Sequence, residues 1–142
     1  MNPTFMSDST IKLYIGLLFI ELIKHSDKVE SKQEQTSHHR LVVDALKYIE
    51  ANYRHASLYE LSNQLHQPHY LLSKMIKKAT SHTFIELLQE RRLSKARELL
   101  ETSHLPVTAI VEKVGYDNMS YFYRIFKQKY GQTPRKYREN NS

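Results

Sequence analysis

The chain has 142 residues, 40% of them hydrophobic, with three glycines, four prolines and no cysteine. A chain of this length forms one domain, or one domain with an appendage. The lack of cysteine excludes disulfides, thiolate metal sites and cysteine nucleophiles, and it agrees with a cytoplasmic location. Few glycines and prolines beside many leucine, lysine, glutamate and glutamine residues favour helices over sheets, so we predict an all-α protein.

The net charge of +6 is concentrated in the C-terminal part of the chain. Residues 1–56 carry seven basic and seven acidic side chains, whereas residues 57–142 carry 14 basic and eight acidic ones. A basic excess binds polyanions through counterion release, but it also occurs on surfaces that are simply solvated. Charge alone leaves both interpretations open.

Residues 1–36 are interpreted as an N-terminal apolar helix followed by a polar linker. The run Ile11–Ile23 is apolar at all but three positions. It is shorter than the ~20 apolar residues that span a bilayer, and its flanks do not fit a signal peptide, so we expect no membrane partner. A helix that is apolar around most of its circumference has to be covered by the rest of this chain, by a second copy, or by a domain outside this sequence. The composition turns polar from His25 to His38, which places a domain boundary near Thr36.

An amphipathic helix and a first helix-turn-helix unit follow the linker. Apolar residues at spacings of three and four predict the helix over Ser37–Tyr53, and the unit is predicted at about residues 57–78. Ser57 is a candidate N-cap, and Glu60 predicts a reciprocal capping box with it. Pro68 opens the second helix of the unit, where its missing N–H costs nothing.

A long connecting helix is predicted over Thr83–Glu101, with Pro106 in the gap before the second unit at about residues 107–130. The second unit has a tight turn at Gly115-Tyr116, and either Asp117 or Asn118 can cap the helix that follows. Shifted back by 49 to 50 residues, it falls on the first unit with apolar positions aligned. The sequence therefore contains an internal repeat, with one residue of slack in the turn.

The outer face of the last predicted helix has the composition of a DNA-reading surface. Residues at spacings of three, four or seven place one stripe there, made of Met119, Ser120, Tyr123, Arg124 and Lys127. A helix with cations, hydroxyls and an aromatic ring on one stripe is suited to the major groove. Arg124 is the strongest candidate for base reading, because a guanidinium can bond guanine O6 and N7 together.

The segment Val107–Arg138 resembles the second helix-turn-helix of the AraC/XylS family of bacterial transcription regulators. The family signature reads roughly I-A-x-x-v-G-Y-x-n-x-S-Y-F-x-R-x-F-K-k-x-x-G-x-T-P-x-x-Y-R. The residues that match it are Ile110, Gly115, Tyr116, Asn118, Ser120, Tyr121, Phe122, Arg124, Phe126, Lys127, Gly131, Thr133, Pro134, Tyr137 and Arg138. The resemblance implies a DNA-binding domain over residues 37–142, with double-stranded DNA and RNA polymerase as partners and two recognition helices in successive major grooves.

The resemblance also implies roles for individual side chains. In the first unit, the positions of family base contacts are held by Tyr70, Ser73 and Lys74, and in the second by Met119, Ser120, Tyr123 and Arg124. The lysines expected at phosphates are Lys77, Lys78 and Lys127. For Tyr70, Met119 and Tyr123, packing against a neighbouring helix is an equally open alternative.

The first unit departs from the family pattern more than the second does. The departures are His66, Gln67, Pro68, Ile76 and Ser81. Helical spacing survives them, so we expect the fold to persist, while base reading by this half is in question.

Neither a metal site nor an enzyme is predicted. The eight histidines include the pairs His38/His39 and His66/His69, but no third ligand lies at a recognisable spacing. Glycine occurs only at positions 16, 115 and 131, so no glycine-rich phosphate loop exists. We expect no cofactor.

The sequence therefore predicts a sequence-specific DNA-binding transcription regulator, with activation implied by the family. Family members often carry subunit-pairing helices before the DNA-binding part, so Ile11–Ile23 is a candidate for homodimerisation. The alternative is an interaction protein that does not bind DNA and pairs with another regulator through the same helix.

Overall fold

Seven helices and no strand form the part of the chain that the computed structural model describes, residues 31–141, with side chains described from residue 36 onward. This confirms the all-α prediction. The predicted helix Ile11–Ile23 lies outside the described residues. The helices are α1 (Ser31–Asn52), α2 (Leu58–Leu65), α3 (His69–Thr80), α4 (Phe84–Thr102), α5 (Val107–Lys113), α6 (Met119–Tyr130) and α7 (Pro134–Asn140).

Helix α1 begins six residues earlier than its apolar pattern predicts. Its first turns contain lysine, glutamine and glutamate, which are good helix formers but carry no apolar periodicity that could mark them. The predicted apolar stripe is buried, with Val42, Ala45, Leu46 and Ile49 at most 2% exposed. This stripe covers the first helix-turn-helix unit, formed by α2 and α3.

The N-terminus of α2 is capped differently from the prediction. Ser57 Oγ accepts from the Glu60 amide at 3.1 Å, as expected. The predicted return bond from Glu60 is absent, because the Ser57 amide donates to the Tyr48 hydroxyl at 3.1 Å and that hydroxyl donates to Glu60 Oε2 at 3.3 Å. A tyrosine of α1 thus stands inside the cap and ties α1 to the first unit.

A complete capping box lies instead at the start of α4. Thr83 Oγ1 accepts from the Glu86 amide at 3.1 Å, and Glu86 Oε1 accepts from the Thr83 amide at 3.3 Å. The bond from the Thr83 backbone holds the pKa of Glu86 below its ordinary value, because it favours the ionised carboxylate. The cap fixes where the connecting helix begins.

The turns of the two units differ in a way that explains the one residue of slack in the repeat. In the first unit, His66 ends α2 directly in the left-handed region, with φ of 54°. In the second, Val114 is still right-handed, and the left-handed step is taken one residue later by Gly115, with φ of 106°. After the recognition helices, Ser81 and Gly131 occupy equivalent left-handed positions.

Glycine at the two left-handed positions of the first unit should stabilise the protein. His66 and Ser81 have φ of 54° and 64°, where a β-carbon costs about 1–2 kcal/mol. We expect His66→Gly and Ser81→Gly each to raise the free energy of unfolding by about 1 kcal/mol, measured by urea denaturation. Unchanged or lower stability in both variants would show that these turns are not strained.

The described residues form two apolar cores that share helix α4. The first core uses the start of α4, with Phe84, Leu87 and Leu88, and the second uses its C-terminal half, with Leu93 and Ala96. The second core also contains α5 and α6, whose largest buried side chains include Phe122 and Phe126. One continuous helix therefore carries both helix-turn-helix units, as the sequence predicts.

Helix α7 was not predicted as a helix, although its residues belong to the family signature. Thr133 Oγ1 caps it by accepting from the Lys136 amide at 3.2 Å, and Pro134 occupies the first turn. Arg138 donates from Nε to Leu100 O and from Nη2 to Ser103 O, both at 3.3 Å. These bonds fasten α7 to the end of α4.

Candidate nucleic-acid interface

Helix α6 presents a polar stripe to solvent and an aromatic stripe to the core. Asn118 starts the helix, since its Oδ1 accepts from the Tyr121 amide at 2.9 Å, while Asp117 makes no cap. Ser120, Arg124 and Lys127 are exposed, one helical turn apart. A duplex groove could reach all three at once.

Arg124 is held in position by an aromatic ring rather than by a carboxylate. Its guanidinium carbon lies 5.3 Å from the centroid of the Tyr121 ring. Within residues 36–141, no acidic side chain lies at ion-pair distance from it. The five N–H donors of the guanidinium are therefore available to a guanine edge, from a side chain whose orientation is already restricted.

Met119 and Tyr123 lie at the edge of this stripe. Both are half-buried and pack against the second core. They line a groove of about 480 Å³ between α5, α6 and α7, together with Pro106, Val107, Thr108, Arg135, Arg138 and Glu139. Their exposed atoms can contact a base, and their buried atoms pack against the neighbouring helices. Base contact and packing, the two interpretations from the sequence, are therefore compatible for these side chains.

The matching stripe on α3 is more exposed at its start. Tyr70 is 76% exposed, and Lys74, Lys77 and Lys78 are exposed along the helix, with Ser73 half-buried between them. Packing of Tyr70 against a neighbouring helix is thus not seen. The residues at equivalent places in the two units therefore share exposure as well as sequence position.

Lys77 has a structural contact beside its predicted phosphate contact. Its Nζ donates to Ser81 O at 3.1 Å and so caps the C-terminus of α3. An ammonium has three N–H donors, so two are left for a phosphate oxygen. Lys78 and Lys127 are exposed and point from the last turns of α3 and α6.

An aromatic side chain beside the first recognition helix was missed by sequence reasoning. Tyr59 of α2 is 64% exposed, and its ring centroid lies 5.5 Å from that of His69, the first residue of α3. Its ring is therefore exposed at the N-terminus of the first recognition helix. The sequence signal that could have predicted this exposure is that Tyr59 lies on the polar face of α2, away from its apolar positions.

The back of α6 is fixed by aromatic rings and by an ion pair. The Phe126 ring contacts the rings of Tyr130 and Tyr137, whose centroids lie 4.7 and 5.8 Å away, and Lys129 contacts the buried carboxylate of Glu90 on α4. Burial raises the pKa of Tyr130 and Tyr137 to about 12, since it disfavours the phenolate. These tyrosines are therefore neutral at physiological pH, whereas burial lowers the pKa of Lys129 to about 8, because it disfavours the charged ammonium.

Other kinds of site are not found in the described part of the chain. No group of three or more histidine, aspartate or glutamate side chains is placed there to hold a metal ion. None of the helices between residues 31 and 141 has the length and apolar character needed to cross a membrane.

Comparison with known proteins identifies the family. A profile described as a helix-turn-helix domain matches residues 61–140. The C-terminal domain of AraT, a response regulator from Geobacillus stearothermophilus, is 36% identical, with a TM-score of 0.67 over 70% of this chain and 84% of that one. The chain belongs to the AraC/XylS family. The resemblance seen in the sequence is thereby confirmed, and the family's members are generally DNA-binding transcription regulators.

Relatives in the AraC/XylS family cover different shares of the chain. The xylose operon regulatory protein of Escherichia coli is 37% identical over 71 residues, which are 50% of this chain and 18% of that protein. This chain thus spans less than a fifth of that regulator. The C-terminal domain of the response regulator yesN from Fusobacterium nucleatum is 35% identical, with a TM-score of 0.62 over 66% of this chain and 93% of that one.

A further neighbour shows the fold with nucleic acid bound. The DNA-binding domain of AdpA, solved in complex with a target DNA, has a TM-score of 0.64 over 70% of this chain and 90% of that one, at 18% identity. At that identity the likeness concerns the AraC-type fold alone. Taken together, the family match and these relatives favour the DNA-binding regulator over the interaction protein without DNA binding.

Proposed function

We propose that this AraC/XylS-family chain regulates transcription by inserting α3 and α6 into successive major grooves of promoter DNA. The observation that carries the proposal is the repeated pattern of exposure. Tyr70, Lys74 and Lys77 in the first unit, and Ser120, Arg124 and Lys127 in the second, are exposed at equivalent positions of equivalent helices, which are joined by one connecting helix. With both faces on one side of a duplex, the targets lie about one turn, ~10 bp, apart.

The two units contribute differently in this proposal. Arg124 offers a guanidinium to a base, whereas the first unit offers Lys74, a single ammonium without the flat fork that reads guanine. Lys77, Lys78 and Lys127 neutralise phosphates and set the register. We therefore assign most base discrimination to α6 and more of the general affinity to α3.

Specific binding is tested by selecting fragments of the source genome with the full chain and titrating the best one against random duplex at increasing salt. A specific regulator releases random DNA at a salt concentration where it still holds the selected fragment, because only the phosphate contacts are common to both. Equal affinity for all fragments at every salt concentration would support an interaction protein instead.

Partners beyond DNA are part of the same proposal. From the family resemblance we propose RNA polymerase as a further partner in the cytoplasm, with activation as the expected direction. Self-association through Ile11–Ile23 would place two such chains on adjacent sites and raise their joint affinity.

Deletion of residues 1–30 should convert a dimer to a monomer and leave binding to a single site intact, since all seven described helices are retained. Sedimentation velocity of both proteins, together with anisotropy titration on one site, measures the two effects. A full chain that sediments as a monomer at every concentration would end the proposal of homodimerisation.

A further inference from the structure

The two helix-turn-helix units meet at a polar junction in the middle of α4. Leu87 and Leu88 belong to the first core, and Leu93 belongs to the second, with charged residues between them. Tyr53, just after α1, packs against both cores. The relative placement of the units therefore depends on what holds Tyr53 and its neighbours.

Arg92 joins the two units at this point. Its Nε donates to Tyr53 O at 2.7 Å and its Nη2 donates to Arg54 O at 3.3 Å, which ties it to the chain leaving α1. On its other side, the guanidinium carbon lies 5.1 Å from the centroid of the Tyr116 ring, in the turn of the second unit. The Arg92 side chain thus contacts both the segment that follows α1 and the turn of the second unit.

The neighbouring groups leave this contact little freedom. The Gly115 backbone lies so close that a β-carbon there would stand 2.6 Å from Arg54 O and 3.0 Å from the Arg92 guanidinium. Arg91 lies against the other face of the junction, with its guanidinium carbon 4.7 Å from the Tyr53 ring centroid and its Nε 3.2 Å from Glu50 Oε2. Hydrogen bonds and close contacts, rather than a smooth apolar surface, define the geometry here.

We propose that Arg92 is a positioning residue that sets the spacing between the two DNA half-sites this protein accepts. One base pair moves a half-site by about 3.4 Å and turns it by about 34° around the duplex axis. While Arg92 bonds the Tyr53 and Arg54 carbonyls, the two units cannot follow that movement without breaking one of these hydrogen bonds. Without these bonds, the units can shift and rotate relative to one another. The inference rests on the proposed mode of DNA binding, and it adds that spacing is read by a residue that touches no DNA.

The test uses the full chain and the best fragment selected from the genome, footprinted to locate its two protected segments. Fragments with one base pair removed, or one or two added, between those segments are then titrated by anisotropy. Wild type should lose about tenfold or more in affinity with each change, because at least one set of base contacts is misaligned.

The affinity of Arg92→Ala and of Arg92→Lys for the original fragment should lie within a few fold of the wild-type affinity. Across the fragments with altered spacing, the affinity of each variant should change by only about twofold to threefold. Lysine keeps the charge but cannot bond two carbonyls as a planar fork, so it should not restore discrimination. The lysine variant also covers the case in which alanine prevents folding, checked by circular dichroism.

Arg97→Ala is the matched control on the same helix. Its guanidinium carbon lies 5.1 Å from the centroid of the Tyr130 ring, inside the second unit, so its loss should leave spacing discrimination unchanged even if it lowers affinity overall. The role of Arg92 would be overturned if its variants kept the wild-type ratio of affinities between the original fragment and the spacing variants. It would also be overturned if Arg97→Ala lowered that ratio as much as the Arg92 variants do. A wild type that prefers no fragment would overturn the proposed function and this inference with it.

Discussion

Gly115→Ala should lower the free energy of unfolding by about 3 kcal/mol or more. Gly115 has φ of 106°, which a side chain rarely adopts, and this strain alone costs about 1–3 kcal/mol. The added β-carbon would also stand 2.6 Å from the carbonyl oxygen of Arg54, and such overpacking typically costs a further 1–3 kcal/mol. Urea denaturation followed by far-UV circular dichroism measures the change.

Gly131→Ala is the control that separates strain from crowding. Gly131 also has positive φ, 78°, but a β-carbon there would meet no atom within 4 Å. Its cost should be limited to the backbone term, about 1–2 kcal/mol. Equal losses in the two variants would mean that the close approach between the second unit's turn and Arg54 contributes nothing.

Arg124→Ala should weaken binding to the selected fragment by about 1–3 kcal/mol, or roughly fivefold to a hundredfold, with little loss on random DNA. The reason is that Arg124 is exposed, oriented by the Tyr121 ring, and without an ion-pair partner among residues 36–141. Arg124→Lys should recover only part of the loss, because an ammonium does not bond O6 and N7 as a planar pair. Anisotropy titrations on both DNAs measure the difference.

Lys127→Ala is the matched control, one turn along the same exposed face. A phosphate contact should weaken both DNAs about equally and reduce the slope of log affinity against log salt by about 1. If Arg124→Ala instead weakens specific and random DNA alike, Arg124 contacts phosphate and base reading lies elsewhere on the interface.

Much of the fold follows from periodicity and turn chemistry alone. The apolar stripe of α1 is buried, as its spacing predicts, and the offset of the repeat is explained by the left-handed steps at His66 and Gly115. Asn118, one of the two predicted candidates, caps α6, and Thr83, the predicted start of the connecting helix, is the cap of α4. These features depend on residues near one another in the chain.

What sequence reasoning missed depends on partners far apart in the chain. The Tyr48 hydroxyl replaces the expected bond from the Ser57 amide to the Glu60 carboxylate. No local sequence pattern predicts a contact with a side chain nine residues away. Arg92 bonds carbonyls 38 and 39 positions earlier. The signal that was available is charge in the middle of α4, where the apolar repeat is interrupted by Glu90, Arg91 and Arg92.

The exposure of the candidate site residues also depends partly on local spacing and partly on helices that are distant in the chain. Spacing placed Met119 and Tyr123 on the outer stripe, but both also pack against the second core, because α5 and α7 flank that side of α6. Tyr70 has no such neighbour and is 76% exposed. Helical periodicity gives the direction of a side chain, and only the surrounding helices decide how much of it reaches solvent.

Hydroxyl-radical footprinting of the full chain on its selected fragment tests the central claim most directly. Two units held on one connecting helix should protect two short segments on the same face of the duplex, centred about 10 bp apart. Modification at the guanine nearest the α6 segment should also block binding. A single protected segment, or two segments on opposite faces, would contradict the account of paired recognition helices in successive major grooves.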